Sequence, residues 1–123
     1  MTITLNAKDT FGQATQIFTS VIANEASLGA AVSIGGLTAV KALFPAGTEG
    51  TILTFQVSFD GVTYSDLYKD GVEYSITVAA GQIIWLDVAT WFGISYFKPR
   101  TGTAASPTTQ TGAATLTFKA VAI

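Results

Sequence analysis

An all-β fold, specifically an antiparallel β-sandwich of jelly-roll type with eight or nine strands, is what this sequence predicts. Three observations carry the prediction. Residues 51–78 (TILTFQVSFDGVTYSDLYKDGVEYSITV) form three alternating apolar/polar runs separated by Asp60-Gly61 and Asp70-Gly71. An Asp-Gly pair supplies the positive-φ residue that a tight hairpin needs, so the stretch reads as a β-meander. Residues 113–123 alternate strictly, with Leu116, Phe118 and Ala120 on one side and Thr115, Thr117 and Lys119 on the other. Turn signals recur at short intervals and no long run keeps a helical period, a pattern that belongs to sandwiches and barrels. Eight strands in a chain of this length suit a jelly roll. The runner-up, an immunoglobulin-like sandwich, lacks the Cys-Trp-Cys spacing.

In chain order, residues 1–14 show no clear periodicity and read as an arm or edge strand, with Phe11 as its apolar contact candidate. Residues 15–123 form the single sandwich domain. Residues 15–23 (TQIFTSVIA) are β-branched and aromatic, hence a strand. Residues 28–34 alternate weakly and stop at Gly35-Gly36. Residues 37–44 keep near-helical spacing at Leu37, Val40 and Leu43, but lie so tightly between Gly36 and Pro45 that a strand is preferred. Leu53, Phe55 and Val57 share one face of the first meander strand, and Tyr74, Ile76 and Val78 face inward after the second turn. Residues 82–86 form a strand around Trp85. Residues 87–93 are irregular or a single helical turn with Asp87 as N-cap. Residues 94–98 form a strand, and residues 99–112 a long loop rich in Thr, Ala, Ser, Gly and Pro.

Composition narrows function. The 123 residues include no Cys and no His, which excludes disulfides, His/Cys zinc sites, thiol chemistry and Ser-His-Asp catalysis. The net charge is −2, and only 11% of residues are charged against a usual figure of about 25%. Two readings of that deficit stand side by side: a surface that faces other protein, or one carpeted by Thr, Ser and Gly. The six Lys and Arg residues are dispersed, so nucleic-acid binding through phosphate neutralisation is not expected. No apolar run reaches the roughly 18–20 residues of a membrane helix. Residues 1–12 have neither the basic nor the apolar region of a secretory leader.

The carboxylates Asp60, Asp66, Asp70 and Glu73 raise calcium binding and glycosidase chemistry as possibilities. Turn formation explains Asp60 and Asp70 better, since an Asp before Gly bonds its own backbone. No metal, cofactor or catalytic residue is therefore expected. Of the aromatics, Tyr64, Tyr68, Tyr74, Trp85, Trp91, Phe92, Tyr96 and Phe97, most read as core. Trp91 and Phe92 sit in the irregular segment and read as the pair most exposed, marking contact with a protein or a glycan. The loop at residues 100–110 (RTGTAASPTTQ) is the stretch least explained by folding. Arg100 at its root either anchors it, on backbone carbonyls or a carboxylate such as Asp87, or is a solvated charge.

Two motifs carry a family resemblance. Phe55-Gln56-Val57-Ser58-Phe59-Asp60-Gly61-Val62-Thr63-Tyr64 with Leu67 resembles an F-x-V-S-x-D-G-x-x-[FY]-x-x-L pattern. Ile94 to Pro107 with Gln110 is similar to a pattern in which Lys and Arg precede S-G-T-x-A-x-P-x-x-Q, departing at Thr101, where Ser is usual. Together and in this order they resemble small structural proteins encoded among the virion genes of tailed bacteriophages, and the similarity spans residues 50–123. The resemblance implies a non-enzymatic capsid decoration or cement protein. It would be made in the host cytoplasm and carried on the capsid surface, bound to the major capsid protein or other virion proteins, as a homo-oligomer that could be a trimer. It adds contact roles for Arg100, Thr101, Gly102, Thr103, Pro107 and Gln110. A carbohydrate-binding jelly roll and a tail- or fibre-associated component are the alternatives.

Overall fold

Eleven strands and one helical turn build the described part of the chain, residues 15–123, in the computed structural model. The arm at 1–14, with Phe11, lies outside the described residues. One sheet joins β1 (Thr15–Ile22), β11 (Ala114–Val121), β3 (Thr38–Phe44) and β9 (Gln82–Trp85) in the order β1-β11-β3-β9. The other joins β2 (Val32–Ser33), β10 (Tyr96–Thr101) and β4 (Ile52–Ser58), whose far edge is shared by β5 (Ser65–Asp66) and β8 (Ser75–Thr77). Every named strand pairing is antiparallel. The protein is an all-β antiparallel sandwich.

The strand number exceeds the eight or nine expected because one strand of the meander is interrupted. Gln56 and Val57 of β4 pair with Asp66 and Ser65, whereas Ile52 to Thr54 pair with Thr77 to Ser75. Between these halves a hairpin of β6 (Tyr68–Lys69) and β7 (Val72–Glu73) leaves the sheet, and the bond from Tyr74 N to Leu67 O closes its base. Its tip has positive φ at both Asp70 (55°) and Gly71 (78°), the signature of a type I′ turn, whose twist matches that of the strands.

The core lies between the sheets. Phe118 of the first sheet packs edge-to-face on Phe97 of the second at 4.9 Å, and Phe55 meets Trp91 at 4.8 Å. Such edge-to-face pairs add to the burial of large apolar area. Alternation on β11 places Ala114, Leu116, Phe118 and Ala120 inside, as the sequence predicts. Both faces of β4 are covered, so Thr54 is as buried as Leu53 and Phe55. Two expectations need correction. Residues 99–101 are strand rather than loop: Pro99 pairs in register with Phe55, and its carbonyl accepts from Gly29 N at 2.7 Å. Few of the eight aromatics singled out are deep core; Trp91 and Phe97 are fully buried, while Tyr68, Trp85 and Phe92 are exposed.

Candidate functional site

The loop after β10 is held by a polar clasp built on Arg100. Alternation along β10 turns Phe97 into the core and Arg100 onto the opposite face, beside β4 and β5. Nε of Arg100 donates to Thr54 Oγ1 at 3.0 Å, one terminal nitrogen to Asp66 at 2.9 Å and the other to Glu73 at 2.6 Å. The guanidinium thus spans three elements, with one donor to each, and its side chain is 7% exposed. Charge-assisted bonds of this kind are about twice as strong as neutral ones. Glu73 also accepts from Ala104 N, so the hairpin of β6 and β7 grips the loop through the same carboxylate. Arg100 is an anchor; its partners are Asp66 and Glu73, not Asp87.

Beyond Arg100 the chain turns tightly. Gly102 has φ +85°, and a Cβ there would lie 2.4 Å from Thr108 N and 2.6 Å from Ser106 O. Only glycine fits such a close approach. Its N–H donates to Ile52 O and its carbonyl accepts from Thr54 Oγ1. Thr103 Oγ1 accepts from Ser106 N, closing the tip. Thr101 is buried and donates its hydroxyl to Thr108 O at 2.7 Å. Gln110, 1% exposed, ties the far end: its amide nitrogen donates to Glu49 O and Thr101 Oγ1, and its oxygen accepts from Glu49 N. Arg100, Thr101, Gly102 and Gln110 therefore face the protein interior and shape the loop. Pro107 and its neighbours at 104–106 are the exposed tip.

Trp91 and Phe92 part company. The helical turn α1 (Val88–Trp91) is capped by Asp87, whose carboxylate accepts from Ala89 N and Thr90 Oγ1. The Thr90 bond, then Lys69 at 3.3 Å, holds the Asp87 carboxyl below its ordinary value. The turn drives Trp91 into the core, fully buried with Nε1 donating to Tyr74 Oη, and leaves Phe92 67% exposed. The expectation that both are exposed is corrected for Trp91. Burial pushes the Tyr74 phenol up, partly opposed by that indole bond.

Three of the four carboxylates raised as calcium or catalytic candidates, Asp60, Asp66 and Glu73, are already engaged, and Asp70 stands exposed at the tip of its hairpin. Asp60 Oδ1 accepts from Thr63 N, Val62 N and Ser58 Oγ, which hold its carboxyl down at about 2. Asp66 and Glu73 serve Arg100. Among the described residues, no cluster of three acidic groups could hold a metal ion.

The surface that sequence reasoning missed is the outer face of the β1-β11-β3-β9 sheet. Its register sets Ile17, Lys119, Lys41 and Trp85 in one row across four strands, and Thr19, Thr117, Leu43 and Ile83 in the next. Ile17, Ile83 and Trp85 are 63%, 71% and 74% exposed. Lys41 Nζ lies 4.5 Å from the Trp85 ring centroid, a cation–π contact. The signal was present in the chain: Ile84 and Leu86 share one side of their strand, so Ile83 and Trp85 must occupy the other.

No family model, no curated protein and no solved structure matches this chain.

Proposed function

We propose that this chain is a non-enzymatic structural protein of a tailed-phage virion, a decoration or cement protein that stabilises the head through protein–protein contacts. The observation that carries the reading is the outer sheet face, where Ile17, Val21, Ile83 and Trp85 stand in solvent on one regular surface. Several large apolar side chains exposed on one face of a small protein, here at both edges of the sheet with lysines between them, support an interaction surface. The sequence resemblance supplies the setting. The motif residues Arg100, Gly102 and Gln110 support it by presenting the 104–107 tip rigidly, at small ordering cost on binding. The partners are the major capsid protein or other virion proteins, and the location is the capsid surface after synthesis in the host cytoplasm. Binding only to the assembled shell stabilises it by mass action, and repetition over a lattice turns weak sites into avidity. Trimers at quasi-threefold positions suit such a lattice.

Cryo-electron microscopy of particles assembled from the encoding genome tests the reading. We expect a density for this domain at many equivalent capsid sites. Density confined to the tail moves the protein there, and none on the particle ends the proposal. A chain truncated by residues 1–14 should keep its fold by circular dichroism and bind shells more weakly; undiminished binding removes the arm from the contact. A second reading, a glycan-binding module, is favoured by the exposed indole of Trp85 rather than by the buried Trp91. A glycan array without hits eliminates it.

A further inference from the structure

At the centre of the outer sheet face two lysines stand directly opposite each other, Lys119 on β11 and Lys41 on β3. Like charges in a cross-strand pair destabilise a sheet. Lys41 has the Trp85 ring beneath its ammonium, but among the described residues no carboxylate meets either lysine: the ion pairs are made by Lys69 and Arg100, and the described acidic side chains lie in loops, in the meander or at the cap of α1. The pair is flanked in its row by exposed Ile17 and Trp85. A chain of net charge −2 thus keeps a locally basic, apolar face.

We infer that this face docks on an acidic, apolar protein surface, one that offers carboxylates to Lys41 and Lys119 between side chains that cover Ile17 and Trp85. The inference rests on the shell reading above and adds the chemistry of the shell's contact surface. Charge complementarity selects this occupant over a second copy, because stacking the face on itself encloses four ammonium groups with no described carboxylate on the face to meet them. The two ammonium groups stand on an open face, so their attraction to carboxylates acts through solvent as the surfaces approach and falls as salt rises. Trp85 supplies the aromatic anchor that interface energetics favour.

The experiment uses the full chain and shells assembled without it, with co-sedimentation at about 0.05 M and 0.5 M sodium chloride, salt levels between which screening of such pairs rises steeply. The wild-type chain should bind, more weakly at the higher salt. Lys41→Glu/Lys119→Glu should weaken binding by about a hundredfold, a tenfold loss for each reversed charge, and Trp85→Ala by about thirtyfold. Lys41→Gln/Lys119→Gln should fall between wild type and the double reversal, and equal melting curves show that each variant is folded. Wild-type binding that the double reversal leaves unchanged overturns the inference while the shell reading stands. No wild-type binding at either salt overturns both. Light scattering that shows a wild-type dimer dispersed by the double reversal assigns the face to a second copy and also overturns it.

Discussion

At the scale of single residues, Asp60 shows how local geometry converts a turn former into a titrating group with a consequence. Its carboxylate gathers two backbone N–H donors and the Ser58 hydroxyl, and these bonds lower its pKa from 3.8 to about 2. The folded value lies below the unfolded one, so the contribution to stability is complete above about pH 4 and is lost as pH falls toward 2. Asp60→Asn can still accept a hydrogen bond but carries no charge. The difference in unfolding free energy between wild type and this variant should therefore narrow as pH drops from 4 to 2. Urea unfolding at several pH values measures it, and carbon NMR of the Asp60 carboxyl should give a midpoint near 2. A midpoint near 3.8 would show that the turn does not hold the carboxylate in solution. The same bonds explain why the Asp-Gly pair is legible in sequence: its chemistry is complete within the six residues from Ser58 to Thr63.

At the scale of elements, the clasp was not legible, and the reason is distance along the chain. Arg100 meets Asp66 and Glu73, which are 34 and 27 residues away. Alternation places Arg100 on the face away from Phe97, yet only the pairing of β4 with both β5 and β10 brings the carboxylates to it. Asp87 was an equal candidate by charge and was claimed instead by Lys69 and its own helical turn. The exchanged fates of the two tryptophans have a similar origin. Trp91 lies in an irregular segment that a four-residue helix turns inward, whereas Trp85 follows strict alternation outward. The tight Asp70-Gly71 hairpin and the alternation of β11 needed only neighbours in sequence and were read correctly, whereas Asp60-Gly61 lies in a longer connection between Ser58 and Ser65 rather than in a tight hairpin. The clasp makes a quantitative prediction. Arg100→Met leaves Asp66 and Glu73 without their cation, and losing one partner of a largely buried pair costs about 2–4 kcal/mol, at the lower end because Asp66 is partly exposed. Urea unfolding should show that loss, with faster hydrogen exchange at Gly102 and Ala104. Arg100→Lys should recover only part of it, since an ammonium cannot reproduce the fork to Asp66, Glu73 and Thr54. A loss below about 0.5 kcal/mol, the level of an ordinary surface change, would mean that the loop stands without its clasp.

At the scale of the whole molecule, the question is how an apolar sheet face stays in water on a chain with only 11% charged residues. Exposed apolar surface invites association with its own kind, and charges set among it oppose that association. Lys41 and Lys119 lie on the two inner strands, at the middle of the face and in register with each other, where they break up its exposed apolar area. Any copy that lays this face on another must desolvate four ammonium groups together, whereas an acidic partner neutralises them. The same two residues then reject self-association and select the partner, a division of labour that costs the isolated sheet little. Lys41→Ala/Lys119→Ala separates the two effects. It relieves cross-strand repulsion, which favours the fold, and it removes the cation–π contact with Trp85, which disfavours it. Each effect is below about 1 kcal/mol, so thermal stability should be nearly unchanged. Association should change instead. Across the micromolar to millimolar range in which exposed apolar surface drives aggregation, light scattering of the neutral variant should rise with concentration above that of the wild type. Equal scattering from the two proteins throughout that range would show that the lysines do not guard this face.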